Sequence, residues 1–121
     1  MEAGDWSARS GYEAGQRIAR LTEVTAVFCA NDHMALGLLR ALHESGRSVP
    51  GEISVIGFDD IPEAAYFIPP LSTVRQDFGE LGRRALELLV AELGGTGHPI
   101  PRIRITPELV LRRSAGPARR T

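Results

Sequence analysis

Two short apolar runs constrain this chain more than any other feature. Residues 26–30 (AVFCA) and 53–58 (ISVIGF) show no apolar–polar alternation, the pattern of strands buried on both faces in a parallel sheet. Between them, residues 32–45 carry helical spacing, and Gly46 suits a C-terminal cap. Pro50-Gly51 marks a turn. Beyond the second run come a short helical piece at 63–67, Pro69-Pro70 and a third strand at 71–75. Ser7 is placed to cap a helix over 7–21, with Ala14, Ile18 and Leu21 on one face. Asp77 is placed to cap the longest helix, 78–93, which stops at Gly94-Gly95 and pairs Glu80 with Arg84 at i,i+4. Two strand candidates remain, 103–106 and 108–112, and residues 114–121 read as a frayed tail. Helices alternating with buried strands imply an α/β fold, a parallel sheet in three α/β/α layers. The first helix has no strand before it, so the sheet is expected to be part of a larger one.

Composition narrows the function. With 121 residues the chain suffices for one small domain. All 14 basic side chains are arginine and oppose 15 acids, giving a net charge of −1, which argues against bulk nucleic-acid binding. No apolar stretch approaches the ~20 residues of a membrane span, and the N-terminus lacks the marks of a signal peptide. The single cysteine, Cys29, reads as a small core residue in a reducing compartment. His33, His43 and His98 share no ligand spacing, so no metal and no cofactor are expected. Asp59-Asp60 is not a phosphoacceptor pair: it lies mid-chain, and the chain has no lysine. Gly94-Gly95-Thr96-Gly97 follows a helix rather than a strand and lacks the lysine of a phosphate loop.

Ligands of open parallel sheets bind at the carboxyl ends of the strands. Here those ends carry Asn31-Asp32, Asp59-Asp60 and Gln76-Asp77, and Trp6 stands where a preceding strand would have ended. Amide and carboxylate oxygens accept from vicinal hydroxyls, and an indole packs on the C–H face of a sugar. The set suits a small polyhydroxylated ligand. Each residue also has a plainer use. Asn31 and Asp32 are natural helix caps, Asp59-Asp60 a natural turn, Trp6 a core anchor and Gln76 a surface residue. No serine or cysteine nucleophile motif accompanies His33, so an enzyme is not expected.

The helix over 32–45 is apolar beyond one face. Met34, Ala35, Leu38, Leu39, Ala41 and Leu42 form a wide arc, and Leu36 points away from its centre, beside Arg40 and His43. Such a helix needs cover on two sides: a sheet supplies one, and a second subunit, or else the rest of a larger monomer, supplies the other. The segment Ala64 to Ile68 adds apolar surface of the same kind.

Four motifs in order carry a resemblance: Gly4-Asp5-Trp6-Ser7-Ala8, Ala30-Asn31-Asp32-His33-Met34-Ala35-Leu36-Gly37, Ile53-Ser54-Val55-Ile56-Gly57-Phe58-Asp59-Asp60, and the run from Ile68-Pro69-Pro70 through Gln76-Asp77-Phe78. Over residues 1–113 the chain resembles the C-terminal third of the LacI/GalR family of bacterial transcriptional regulators. The resemblance implies a half of a periplasmic-binding-protein-like two-lobed fold, here a fragment without the DNA-binding helix-turn-helix. It implies a cytoplasmic regulator that binds a sugar or related effector between its lobes, shifts its affinity for operator DNA, and acts as a homodimer. By motif, Trp6 stacks on the effector, Asn31 and Asp59 bond its hydroxyls, Gln76 and Phe78 line the cleft, and Leu36 and Phe67 lie at the dimer interface. The resemblance is partial. An arginine that the family uses on the effector falls before Met1, and the tail has no leucine heptads of a tetramer-forming coil. The competing reading is part of an extracytoplasmic sugar-binding protein of a transporter, since the folds are shared.

Overall fold

The structure, a computed structural model, describes residues 3–94 and 106–118. The chain divides into two compact units, Met1–Arg75 with Leu109–Thr121, and Gln76–Glu108. In chain order the elements are α1 (Ala8–Ile18), β1 (Ala26–Phe28), α2 (Asp32–Glu44), β2 (Ser54–Phe58), a 3-10 turn (Pro62–Tyr66), β3 (Ser72–Arg75), α3 (Phe78–Leu93) and β4 (Glu108–Val110). The strands form one sheet in the order β1-β2-β3-β4. The first three are parallel, with Val27 opposite Val55 and Gly57 opposite Thr73. Most of the strand candidate at 103–106 lies outside the described residues.

In the first unit the core lies between the sheet and α2. Leu38, Leu42, Ile53, Val55 and Leu71 are fully buried and join Ala35, Leu39, Ala64 and Phe67 in one cluster. Burying one such leucine contributes about 2 kcal/mol. Helix α2 starts at its Asn31 cap and ends where Gly46 N–H meets His43 O and Arg47 N–H meets Leu42 O, the paired bonds of a Schellman cap. Helix α1 lies against α2 in backbone contact. A Cβ on Gly37 would stand 1.8 Å from Ala8 O, and one on Gly11 2.0 Å from Met34 O. Only glycine permits that approach.

Two expectations are corrected. Strand β1 is not buried on both faces: Ala26 and Phe28 are exposed, Phe28 at 64%. β1 ends the strand order, and in this unit α2 covers only the other face, so Ile56, opposite Phe28 in the register, is half-buried as well. Nor is the chain frayed from Ser114. Ser114 is fully buried, exchanging backbone and hydroxyl bonds with Val55 (N–H to Ser114 O 2.8 Å, Oγ to Val55 O 2.5 Å) and accepting from Ser72 N–H at 2.7 Å. Gly116 N–H donates to Ser54 Oγ at 3.0 Å. The segment fills the sheet position beside the start of β2, ahead of the first residue of β3.

In the second unit α3 follows its expected span, with Asp77 accepting from Glu80 N–H at 2.9 Å. Glu80 pairs with Arg84 at 2.8 Å and with Arg83 at 2.6 Å.

Candidate functional site

Three loops of the first unit meet at the carboxyl end of the sheet. The first carries Trp6. Asp5 accepts from Ser7 N–H at 3.0 Å and from the Ser7 hydroxyl, closing a turn around Trp6. Its carboxyl is held below the ordinary range, first by the Ser7 side-chain bond. Trp6 stands at φ +73° with its side chain outward, 63% exposed, which removes the core-anchor reading.

The second loop carries Asn31 and Asp32. Asn31 is buried; its Oδ1 accepts from Met34 N–H at 2.8 Å, and its Nδ2 donates to Trp6 O at 2.9 Å. It is therefore the cap of α2 and the tether of Trp6. One N–H and one lone pair remain for a ligand. Asp32 is fully buried and makes no surface. It accepts from Thr73 Oγ1 at 2.7 Å and from Ile61 N–H at 2.9 Å, in space that Gly57 leaves open, where a Cβ would come within 2.2 Å. This carboxylate ties α2 to β3 and to the loop after β2. Sequence reasoning saw it as a cap; the signal for its other role is an acid followed at strand spacing by a glycine and a threonine on facing strands.

The third loop carries Asp59 and Asp60, both in left-handed or more extreme backbone, at φ +120° and +56°. With Trp6 they are the three non-glycine residues of positive φ among the described residues. Such conformations cost on the order of 1–3 kcal/mol each and persist where neighbours enforce them, often at functional sites. The two acids differ. Asp60 is committed to Arg112 at 2.8 Å and Arg75 at 3.4 Å. Asp59 donates its N–H to Val74 O at 2.8 Å, while its carboxylate takes no hydrogen bond from the described residues. Burial raises the Asp59 carboxyl above its ordinary value, with a further push from Asp32 and a partial offset from His33. A carboxylate in that setting is an acceptor waiting for donors.

Gln76 and Phe78 belong to the second unit. Gln76 is half-buried and its carbonyl accepts from Phe78 N–H at 3.1 Å; Phe78, the first residue of α3, is exposed. Leu36 is exposed on α2 as expected. Phe67 is not: at 8% exposure it belongs to the core. The 3-10 turn points Ala64 and Phe67 inward, at i and i+3, and leaves Tyr66 (85%) and Ile68 (91%) outward. These two, with Leu36, Leu39, Arg40 and His43, border a groove of about 550 Å³. Cys29 is buried, its thiol pushed up to about 12 by burial and then by Asp32. Among the described residues no cluster of histidine, cysteine or acids suits a metal ion, and no helix is long and apolar enough to cross a membrane.

A parallel sheet whose loops gather polar side chains at its carboxyl edge is the architecture in which open α/β folds place their ligands; the comparisons with known proteins point to a family of that architecture. The chain belongs to the family described as periplasmic binding protein-like domain, whose match spans residues 1–115. It is similar to the HTH-type transcriptional repressor PurR of Mannheimia succiniciproducens, 43% identical over 92% of this chain and 34% of that protein. It is also similar to the lac repressor in a crystal structure of the dimer bound to operator and the anti-inducer ONPF, at TM-score 0.83 and 39% identity over 93% of this chain and 39% of that one. A LacI family transcriptional regulator from Enterococcus faecium with bound ribose matches at TM-score 0.83 and 30% identity, over 98% of this chain and 44% of that one. The resemblance to LacI/GalR regulators thus holds at the level of sequence and of fold. The chain spans about a third of the length of the curated relative.

Proposed function

We propose that this chain is the effector-sensing and dimerising part of a LacI/GalR-type transcriptional regulator in the bacterial cytoplasm. A small sugar-like effector binds at Trp6, Asn31 and Asp59; Gln76 and Phe78, carried by the second unit, are further candidate effector residues. The observation that carries the reading is the uncommitted Asp59 carboxylate on strained backbone, in the same unit as the outward indole of Trp6, whose backbone carbonyl Asn31 tethers. A carboxylate accepts from paired hydroxyls while the ring takes the apolar sugar face. Effector binding favours one arrangement of the regulator, and a DNA-binding segment elsewhere in the protein reads the operator; the coupling is a differential affinity between the two arrangements. The homodimer forms through the face of Leu36, Tyr66 and Ile68, with Phe67 supporting it from beneath. No catalytic step is assigned: the relatives named above are repressors and regulators, and the site pairs no nucleophile with a base. The same names favour this reading over a transporter's sugar-binding protein.

The test is Asp59→Ala in the protein at the full length its gene encodes. Effector response is expected to vanish while operator binding persists. An unchanged induction curve would remove Asp59 from the site.

A further inference from the structure

Asp59 stands on backbone that side-chain-bearing residues rarely adopt, and its own side chain takes no hydrogen bond from the described residues. Asp59 itself is held by its backbone N–H on Val74 O at 2.8 Å, and the side-chain grip on this loop comes from its neighbours. On one side Asp32 holds Ile61 N–H. On the other, the Asp60 carboxylate receives Arg112 at 2.8 Å and Arg75 at 3.4 Å. Arg112 is itself fixed: its guanidinium also donates to Leu71 O at 2.9 Å, and its backbone N–H donates to Ser72 Oγ at 2.8 Å. The position of these two arginines in the chain is informative. Arg75 is the last residue before the chain leaves the first unit, and Arg112 follows shortly after its return at Leu109. Both crossings therefore converge on the carboxylate next to Asp59.

We propose that Arg112, acting through Asp60, is a positioning residue for Asp59, holding the loop in the conformation that aims the Asp59 carboxylate at the effector. The proposal rests on the sugar-site reading of Asp59. The Asp60–Arg112 pair is mostly buried, where a charged bond is strong and directional. Without it, the two positive-φ residues lose the restraint on one side and relax toward ordinary backbone, while Asp32 keeps the loop attached. The geometry of a binding group depends on such support more than overall stability does.

The experiment compares Arg112→Gln, Asp60→Asn, Arg112→Lys and a control, Arg47→Gln, in the full-length protein. Asp60→Asn keeps the residue's tolerance of left-handed backbone, removes the charge and turns one of the two acceptor oxygens that face the arginines into a donor. Arg47 bonds Glu52 and Ala19 O in another part of the first unit, so its loss reports stability alone. The first readout, free of any ligand, is hydrogen exchange at the Asp59, Asp60 and Ile61 amides. Arg112→Gln and Asp60→Asn are expected to speed it, Arg112→Lys to restore part of the protection, and Arg47→Gln to leave it unchanged. The second is binding of a panel of ribose, sucrose, lactose and cellobiose, followed by fluorescence of Trp6, the only tryptophan. For a sugar that the wild type binds, Arg112→Gln is expected to weaken affinity about tenfold. Unchanged loop exchange in Arg112→Gln, or affinity equal to that of Arg47→Gln, overturns the positioning role. If Asp59→Ala keeps its affinity, or no panel sugar binds the wild type, the sugar-site reading fails, while the exchange data still decide whether Arg112 holds the loop.

Discussion

Helices α2 and α3 are written in the same local code. Each starts at an amide or acid cap, Asn31 or Asp77, whose side chain accepts from an N–H three residues on. Each is rich in leucine at helical spacing. Yet seven residues of α2 are buried and none of α3 is. α2 lies between β2 and α1, and its glycine at 37 brings a second backbone into contact. α3 forms its own unit, where Leu86, Leu89, Val90 and Leu93 stay exposed within the chain. The lesson is that a helix is specified by its caps and spacing, whereas burial is conferred by what it meets.

The sharpest way to break this comparison uses glycines. Gly37→Ala drives a Cβ to 1.8 Å from Ala8 O and is expected to destabilise by about 3 kcal/mol or more. Gly82→Ala in α3 has nothing within 4 Å and is expected to stabilise by about 0.5–1 kcal/mol. Urea unfolding of both variants checks the opposite signs. A smaller contrast is Leu42→Ala, expected to cost about 2–5 kcal/mol, against Leu86→Ala, expected within ~0.5 kcal/mol. A large loss at Leu86 would mean that α3 is covered in solution, and the contrast would then lie in the assembly rather than in the helix.

Smaller still is the contrast of caps. Asn31→Ala is expected to cost about 1–2 kcal/mol, since it removes both the α2 cap and the tether of Trp6. Asp77→Ala removes a cap alone and is expected to cost about 0.5–1 kcal/mol. A Trp6 emission shift in the first variant and none in the second would confirm the tether. The smallest effect concerns pH. The Asp59 carboxyl is raised in the folded state, so the folded protein holds that proton more tightly than the unfolded chain does. Asp59 therefore contributes stability at pH below its unfolded value, and that contribution is lost as pH rises through its folded value. Asp59→Asn is expected to raise the melting temperature slightly at neutral pH and to flatten the pH dependence of stability in the acidic range. Sugar binding that needs the carboxylate should fail on acidification earlier than for an ordinary aspartate. A melting temperature that falls at neutral pH would refute the direction.

Much of the fold was legible because its signals are local. Ser7, Asn31 and Asp77 act as caps where the sequence places them, since a cap concerns only the next few residues. The spans of β2, β3 and α3 follow their apolar patterns. Phe28 departs from its pattern because hydrophobicity says that a residue prefers cover, not which side receives it, and Ser114 because a polar residue near the chain end carries no local sign of its bonds to Val55 and Ser72. In the candidate site the resemblance singles out Asp59 of the Asp59-Asp60 pair, but no local physical signal distinguishes two adjacent aspartates. Arg112, far along the chain, does so by taking Asp60 and leaving Asp59.

By itself, then, the sequence determined the succession of helices and parallel strands, the caps that start the helices, and the polar residues at the strands' carboxyl ends. These follow from backbone hydrogen bonding and side-chain periodicity over a few residues. The tertiary structure decided the rest: that Asp32 would be a buried tie rather than a surface cap, that Ser114 would lock into the sheet, and that three loops would hold Trp6, Asp59 and Asp60 in backbone they would not choose alone. Those outcomes depend on partners about 30 to 60 residues distant, and only the packed chain brings such partners within hydrogen-bonding reach.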